Sequence, residues 1–356
     1  MKKKTIISIA LTFIIVAAVL GYFSIPFTTS KENDFYNNLS KMDNYNEDAN
    51  KKIEKLMKRN ESDALFVMKG QELLVSSGKT EGISNVASVR KSLISALYGI
   101  AESKGLINIS NTLEQLGIDD EKNPLTKEEK KATVEDLLKA RSGIYIYSIG
   151  ESKKMEEKRP KRGSHSHNEF YYYNNWDFNT LGVIFEKETG MTIGNAFYEW
   201  IAKPTEMKKF RPENVVYEKS EKTAIPMYRF YMCAEDLARF GSLYANEGKW
   251  KDKQIISKEW VDKSFIDYSK IENVDSFSGY GYLWWLDYNV KPKLQWAVGS
   301  GGQFIIVDRE NKITIAMMNN TGTSPLGAFI YKKLGGKESS YSEAKEIYEI
   351  ITKNMI

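Results

Sequence analysis

The chain has 356 residues, of which 42% are hydrophobic and 28% are charged, a composition typical of a globular protein with one large domain or two smaller ones. Its net charge of +4 is too slight to indicate a nucleic-acid partner. A single cysteine excludes an internal disulfide framework, and two histidines, His165 and His167, without any CxxC pair argue against a metal centre or a histidine-based catalytic triad.

The first 27 residues predict a membrane-associated segment. Three lysines follow Met1, and residues 5–27 carry no charge. This uncharged segment is long enough to cross a hydrocarbon layer of ~30 Å as a helix. A cleaved signal peptide is the alternative, although its apolar core would normally be shorter and end at a small-x-small site. We expect an uncleaved anchor with the lysines in the cytoplasm and the remaining chain on the other side of the membrane, or a secreted protein if the segment is cleaved.

Residues 28–60 are polar and predict a linker, either a tether or a loosely packed helix, in front of one domain over residues 61–356. That domain opens with two strand-like runs, residues 63–68 and 72–75, which flank Lys69-Gly70-Gln71. Apolar runs around a short glycine-containing turn predict a β-hairpin.

An amphipathic helix is predicted from Ser88 to about Lys104, with Lys91 three residues after its first position. The i, i+3 spacing places both side chains on one face, where a desolvated amine could accept the serine proton and make the hydroxyl a competent nucleophile. The same Ser-x-x-Lys pattern starts at Ser76, in a polar turn, and at Ser342, in a charged helix. Only Ser88 opens a helix apolar enough to be buried. The competing interpretation is an ordinary helix cap, the commonest use of serine there.

Three further helices are predicted in the middle of the chain. Residues 133–139 begin with a capping candidate, Thr133; residues 178–189 end at Gly190; and residues 235–244 end before Gly248. Between the first two lies a charge-rich segment, residues 152–167, in which six basic side chains outnumber the glutamates. It is interpreted either as a solvated loop or as a basic lid beside a cleft that meets an anionic polymer.

The last third of the chain predicts antiparallel sheet. Four strand-like runs, separated by turns, are followed by a helix over residues 342–352; the runs are residues 279–285, 294–298, 303–307 and 313–318. Together with the early hairpin, they predict an α/β (α+β) domain. Its antiparallel sheet is made from both ends of the domain, with flanking helices and an inserted helical region.

Several sequence blocks match, in the same order along the chain, those of the serine hydrolases of the class C β-lactamase type, which this chain therefore resembles. That family includes DD-peptidases, family VIII-like esterases and 6-aminohexanoate-dimer hydrolases. The resemblance covers roughly residues 60–335. Ser88-Val89-Arg90-Lys91 resembles the family's Ser-x-x-Lys block. Residues 133–138 followed by Ser142-Gly143-Ile144 resemble its "TVxxLLxxxSGI" segment, residues 236–241 its "DLARFG" helix, and residues 282–285 a recurrent strand.

The pattern of the family's Tyr-x-Asn block occurs four times in this chain, at Tyr36, Tyr172, Tyr173 and Tyr244. The distance to a second motif decides which of them matches the block. In the family the Gly of a Leu-Gly pair comes seven residues after the Asn, and Gly182 of Leu181-Gly182 therefore selects Tyr173 and Asn175. A core aromatic is the competing interpretation of Tyr173, since two tyrosines precede it.

The third catalytic block is where the chain departs from the family pattern. The family has Lys-Thr-Gly or His-x-Gly before the last hairpin, whereas this chain has Gly299-Ser300-Gly301-Gly302, with neither lysine nor histidine. Similar glycine-rich forms occur in the 6-aminohexanoate-dimer-hydrolase-like branch. Losing this cation should weaken recognition of a substrate carboxylate, which argues against an efficient β-lactamase.

The resemblance implies acyl transfer without a cofactor or metal. Ser88 would be the nucleophile, Lys91 its base, and Tyr173 a second proton-transfer group whose pKa a positive site would lower. Asn175 would hold Lys91 or the substrate amide. Gly299, Ser300, Gly301 and Gly302 would line the substrate site, and a backbone N–H near Gly301 or Gly302 would hold the oxyanion together with the N–H of Ser88.

Two classes of function stay open. The first is a membrane-anchored extracytoplasmic hydrolase of a small-molecule or cell-envelope ester or amide, with a DD-peptidase acting on peptidoglycan as the second choice among enzymes. The second is a non-catalytic binding or sensor module on the same fold.

Overall fold

An eight-stranded antiparallel sheet joins the two ends of the domain, in the order β2-β1-β13-β12-β11-β10-β9-β8. The computed structural model describes residues 47–59, 62–271, 277–319 and 338–354. Two N-terminal strands pair with six C-terminal ones: β1 (Ala64–Lys69), β2 (Glu72–Gly78), β8 (Ser269–Lys270), β9 (Gly279–Tyr280), β10 (Trp285–Asp287), β11 (Leu294–Gly299), β12 (Gln303–Asp308) and β13 (Ile313–Met318). The predicted sheet from both ends of the domain is confirmed.

The sheet is buried on both faces, which is why β12 and β13 are nearly continuous apolar runs. Alternate side chains of one strand enter different cores: Ile305 packs with the helical region, whereas Ile306 packs with the terminal helices. Those terminal helices are α1 (Glu47–Arg59) and α9 (Tyr341–Asn354), which pack on each other.

Helix α1 corrects the predicted extent of the polar linker, residues 28–60. Its residues 47–59 form an amphipathic helix whose apolar face, including Ile53 and Met57, is buried against the sheet. The segment reads as polar because only one face of the helix is covered. Residues 28–46 lie outside the described residues.

The inserted region is largely helical, and α2 (Arg90–Ser103) is its most buried element. The other helices are α3 (Val134–Leu138), α4 (Lys153–Lys158), α5 (Asn175–Thr189), α6 (Ile193–Phe197), α7 (Ala234–Ala245) and α8 (Lys258–Ser264). Thr133 caps α3 in a capping box with Asp136, and Gly190 ends α5 in the left-handed conformation, at φ +67°. Both predicted helix signals are confirmed.

A second sheet, in the order β3-β5-β4, was not predicted. It consists of β3 (Ser84–Asn85), β4 (Val215–Ser220) and β5 (Thr223–Met232), and a separate short hairpin is made by β6 (Lys249–Trp250) and β7 (Lys253–Gln254). The single strand predicted over residues 279–285 is wrong, because a turn with Leu283 at φ +65° separates β9 from β10.

The predicted membrane location is also corrected. Residues 5–27, to which the anchor was assigned, lie outside the described residues. Within the described ranges no helix has both the length and the apolar character needed to cross a bilayer. The prediction of a single-pass membrane protein is therefore not retained.

Candidate active site

Ser88 lies in a short 3₁₀ turn, Ala87–Val89, directly before α2. Two contacts hold this turn in place: the Val86 amide donates to the carbonyl of Phe230 on β5 at 3.0 Å, and the Ala87 amide donates to the Asn85 side chain at 2.9 Å. Ala87 has φ +48°, a strained conformation for a residue with a side chain. The predicted helix therefore starts two residues later than Ser88, and the serine projects from a fixed turn.

Lys91 connects the serine to the tyrosine selected from the sequence. Its Nζ lies 2.8 Å from Ser88 Oγ and 2.8 Å from the hydroxyl of Tyr173, which reaches the site from just before α5. The lysine is 2% exposed, whereas Ser88 is half-buried. The Lys91 Nζ also lies over the rings of Tyr173, at 4.4 Å, and Phe178, at 4.7 Å. The amine thus lies within hydrogen-bond distance of both hydroxyls that were predicted to act with it.

Burial sets the charge states of these groups. It lowers the pKa of Lys91 well below its usual range, and the neighbouring positive charge of Arg90 lowers it further. Within the described part of the chain, no carboxylate forms an ion pair with Lys91 to oppose that shift. Burial raises the pKa of Tyr173 to about 12, although a hydrogen bond with Ser88 and the charge of Arg90 act in the opposite direction.

The expectation that a positive site lowers the pKa of Tyr173 is therefore wrong in direction. Desolvation acts on the phenol more strongly than the nearby cation does, and the same burial lowers the pKa of Lys91 and so weakens its positive charge. The arrangement consequently places an amine whose pKa is lowered beside a phenol that is protonated in the resting site.

Aromatic rings fix the position of Tyr173. Its ring stacks on Trp285 with centroids 5.2 Å apart, and it meets the edges of Phe178 and Tyr280 at 4.9 and 6.0 Å. Trp285 and Tyr280 lie on β10 and β9, so the sheet orients a side chain carried by the helical region. Sequence reasoning missed both residues as site neighbours. The family-like strand at residues 282–285 was a signal for Trp285, and Tyr280 appeared only within the strand-like run 279–285.

Asn175 is near the site in sequence but does not contact Lys91. Its side-chain Nδ2 donates to the carbonyl of Gly150 at 2.7 Å, and its buried Oδ1 has no partner among the described residues. The asparagine that does hold a cation is Asn179, whose Oδ1 accepts from Arg90 Nη2 at 2.7 Å. The predicted contact between Asn175 and Lys91 is therefore absent, while contact with a substrate stays a prediction.

The glycine-rich turn between β11 and β12 lies against the turn that carries Ser88. A Cβ on Gly299 would come within 2.5 Å of the Val86 carbonyl oxygen, so only glycine permits this approach. Gly301 and Gly302 have φ +88° and +76°, and Gln303 Nε2 donates to the Gly301 carbonyl at 3.0 Å. Ser300 at the tip is exposed. The structure thus brings the predicted turn to the Ser88 site.

The charge-rich segment, residues 152–167, is tied to the body of the domain. Arg162 forms two hydrogen bonds with the carboxylate of Glu129, at 2.8 and 2.7 Å, and His167 lies 3.0 Å from Asp136. Helix α4 within it is exposed. Among the described residues, no cluster of three potential metal-binding side chains occurs.

Comparisons with known proteins agree with this geometry. The family model described as Beta-lactamase matches residues 49–332. A putative 6-aminohexanoate-dimer hydrolase from Bacillus anthracis is 20% identical, covers 79% of this chain and 80% of its own, and superposes with a TM-score of 0.60. A putative beta-lactamase from Bacteroides dorei is 14% identical, with coverages of 87% and 98% and a TM-score of 0.63. An octameric penicillin-binding protein homologue from Pyrococcus abyssi is 19% identical, with coverages of 82% and 77% and a TM-score of 0.57.

At these identities the solved structures show a shared fold. No individually curated protein sequence matches the chain closely enough to count as a relative. The family model, however, spans most of the chain and includes the Ser88 turn, α2, Tyr173 and the glycine-rich turn. The chain therefore belongs to the Beta-lactamase family.

Proposed function

We propose that the protein is a serine hydrolase that cleaves an ester or amide through an acyl-enzyme on Ser88. One observation carries the proposal: a buried amine, with a pKa lowered by burial, lies 2.8 Å from both the Ser88 and the Tyr173 hydroxyls. A lysine that only capped a helix or faced solvent would not be desolvated in this way. An activated nucleophile needs a base that is neutral at the working pH and within hydrogen-bond reach.

In the proposed acylation step, the proton that leaves Ser88 is passed through Lys91 and Tyr173 to the leaving group. Neutral Lys91 accepts the Ser88 proton while the serine oxygen attacks the carbonyl carbon and the carbonyl electrons move to oxygen. Tyr173 then donates its proton to the leaving alcohol or amine as that bond breaks, and recovers a proton from Lys91. Water takes the place of the leaving group in the second half of the reaction. We assign the oxyanion to backbone N–H groups of Ser88 and of the Gly301–Gly302 turn.

The substrate class follows from the turn that replaces the family's cationic block. Residues 299–302 carry no positive charge, so they offer no partner for a carboxylate on the substrate. The aromatic rings of Tyr173, Tyr280 and Trp285 supply apolar surface beside the nucleophile. We therefore favour an ester or amide whose acyl part is uncharged, from a small molecule or from the cell envelope.

Two other functions remain as alternatives. Structural likeness to a penicillin-binding protein homologue favours a DD-peptidase acting on peptidoglycan, whereas the missing cation disfavours it. A non-catalytic sensor is disfavoured by the intact contacts among Ser88, Lys91 and Tyr173. Deacylation separates the sensor from a hydrolase, because a sensor would acylate once and stop.

The test is intact mass spectrometry after exposure to a fluorophosphonate, with turnover of a short-chain p-nitrophenyl ester measured in parallel. We expect a single adduct on Ser88 and steady turnover, both lost in Ser88→Ala. Ser76→Ala is the matched control, since Ser76 begins the same Ser-x-x-Lys pattern on β2 and should keep both activities. Full ester turnover in folded Ser88→Ala would refute the mechanism. An adduct without turnover would favour the sensor.

A further inference from the structure

A groove with a volume of about 1160 Å³ lies at the end of the central sheet remote from Ser88. Six basic side chains line this basic groove: Lys249, Lys251, Lys291, Lys293, Arg309 and Lys312. Neither the proposed mechanism nor the family resemblance uses any of them. Their common location follows from the order of the strands.

The turns of an antiparallel sheet alternate between its two ends. The turn from β11 to β12, residues 300–302, reaches the Ser88 site, so the β10–β11 and β12–β13 turns lie at the opposite end. Those two turns carry Lys291, Lys293, Arg309 and Lys312, and the end of α7 and β6 add Lys249. Because β11 has six residues, about 20 Å separates the basic groove from the glycine-rich turn. The groove is a surface distinct from the candidate active site.

Positive charge is concentrated in this groove. Its lining has six basic residues and two acidic ones, an excess equal to the net charge of +4 on the whole chain. Lys251 pairs with Glu206, and Arg309 pairs with Asp262 at 2.7 Å. The other four lysines are exposed and form no ion pair with any described residue. Like charges gathered in one concavity repel one another and attract a multivalent anion.

We infer that the basic groove binds a linear polyanion that carries one phosphate on each repeat and no nucleic-acid base. Lysines act as point charges and suit phosphates presented singly along a chain, and the one arginine of the lining, Arg309, already donates a hydrogen bond to Asp262. The concave shape suits a threaded polymer better than a flat lipid surface. The lining aromatic, Tyr288, has Lys293 over its ring at 4.8 Å and its hydroxyl bonded to the Phe265 carbonyl, and this engagement disfavours stacking of a nucleic-acid base on the ring.

The experiment titrates the full-length protein with inorganic polyphosphate by calorimetry at several salt concentrations. The test variant replaces the four unpaired lysines with glutamine: Lys249→Gln, Lys291→Gln, Lys293→Gln and Lys312→Gln. We expect its affinity for polyphosphate to fall on the order of 100-fold. The plot of log K against log salt should also become shallower, with the magnitude of its slope smaller by about 3. Turnover of the p-nitrophenyl ester should not change, because the groove is far from Ser88.

A matched control removes the same charge elsewhere, through Lys122→Gln, Lys127→Gln, Lys154→Gln and Lys219→Gln. These lysines are also exposed and form no ion pair with the described residues. The control should bind polyphosphate as the wild type does, with both variants keeping the wild-type Tm. Equal weakening in the two variants would show attraction by net charge alone and overturn the inference. A thymidine oligonucleotide that bound at the groove as tightly as polyphosphate would overturn the ligand class.

Discussion

Gly299→Ala tests whether the glycine-rich turn positions the candidate active site. An alanine Cβ there would lie 2.5 Å from the Val86 carbonyl oxygen and 3.2 Å from the Ala87 Cβ. Carbon–oxygen contacts are normally about 3.3 Å or longer, so the end of β11 and the Ser88 turn must separate by about 1 Å. Gly299 does not have a positive φ, and the added methyl therefore acts through this clash alone.

Two consequences are expected, and they are measured separately. Overpacking should lower the free energy of unfolding by about 1–3 kcal/mol, seen as a lower Tm. Displacing the proposed oxyanion donors from the nucleophile by about 1 Å should lower kcat/KM for a p-nitrophenyl ester on the order of 100-fold. Both are determined on the same preparation, with the folded fraction checked by circular dichroism.

Gly241→Ala is the control for the loss of stability. Its Cβ would come within 2.4 Å of Thr314 and 2.7 Å of Ile305 where α7 packs on the sheet, away from Ser88. It should lose comparable stability and keep the wild-type kcat/KM. If Gly299→Ala behaves in the same way as this control, the turn does not form part of the site and the reasoning is refuted.

Three further predictions concern protons. Tyr173→Phe keeps the ring packing but removes the hydroxyl that Lys91 contacts, so ester turnover should fall roughly 100- to 10,000-fold at an unchanged Tm; wild-type turnover would exclude Tyr173 from proton transfer. The rate of fluorophosphonate labelling should rise with pH as Lys91 loses its proton, and Arg90→Gln should move that rise to higher pH by removing a neighbouring charge; superimposable pH profiles would contradict this role of Arg90. Asp177→Asn should flatten the pH dependence of the unfolding free energy measured with denaturant. Burial raises the pKa of Asp177, so the folded state keeps a proton that the unfolded state loses above a pH of about 4, and wild-type stability decreases as the pH rises from there. Equal slopes in the two proteins would show that this carboxyl does not titrate as described.

Local patterns were enough to identify most of the elements and to predict the contact between Ser88 and Lys91. Ser88 and Lys91 are one helical turn apart, so their contact depends only on the backbone conformation of residues 88–91. The hairpin of β1 and β2, the capping box at Thr133 and the end of α5 at Gly190 likewise depend on neighbours in sequence. Apolar runs predicted β11, β12 and β13 because both faces of that sheet are covered.

Other features depend on contacts between distant parts of the chain. Helix α1 looks like a polar linker until α9 and the sheet cover its apolar face, and β5 gains its role by holding the Val86 amide. Tyr173 lies 82 residues from Lys91, and the family resemblance alone indicated that they meet. Neither the raised pKa of Tyr173 nor the failure of Asn175 to reach Lys91 could be read from residue types. Both depend on burial and side-chain direction, and only the packing of α2, α5 and the sheet decides those.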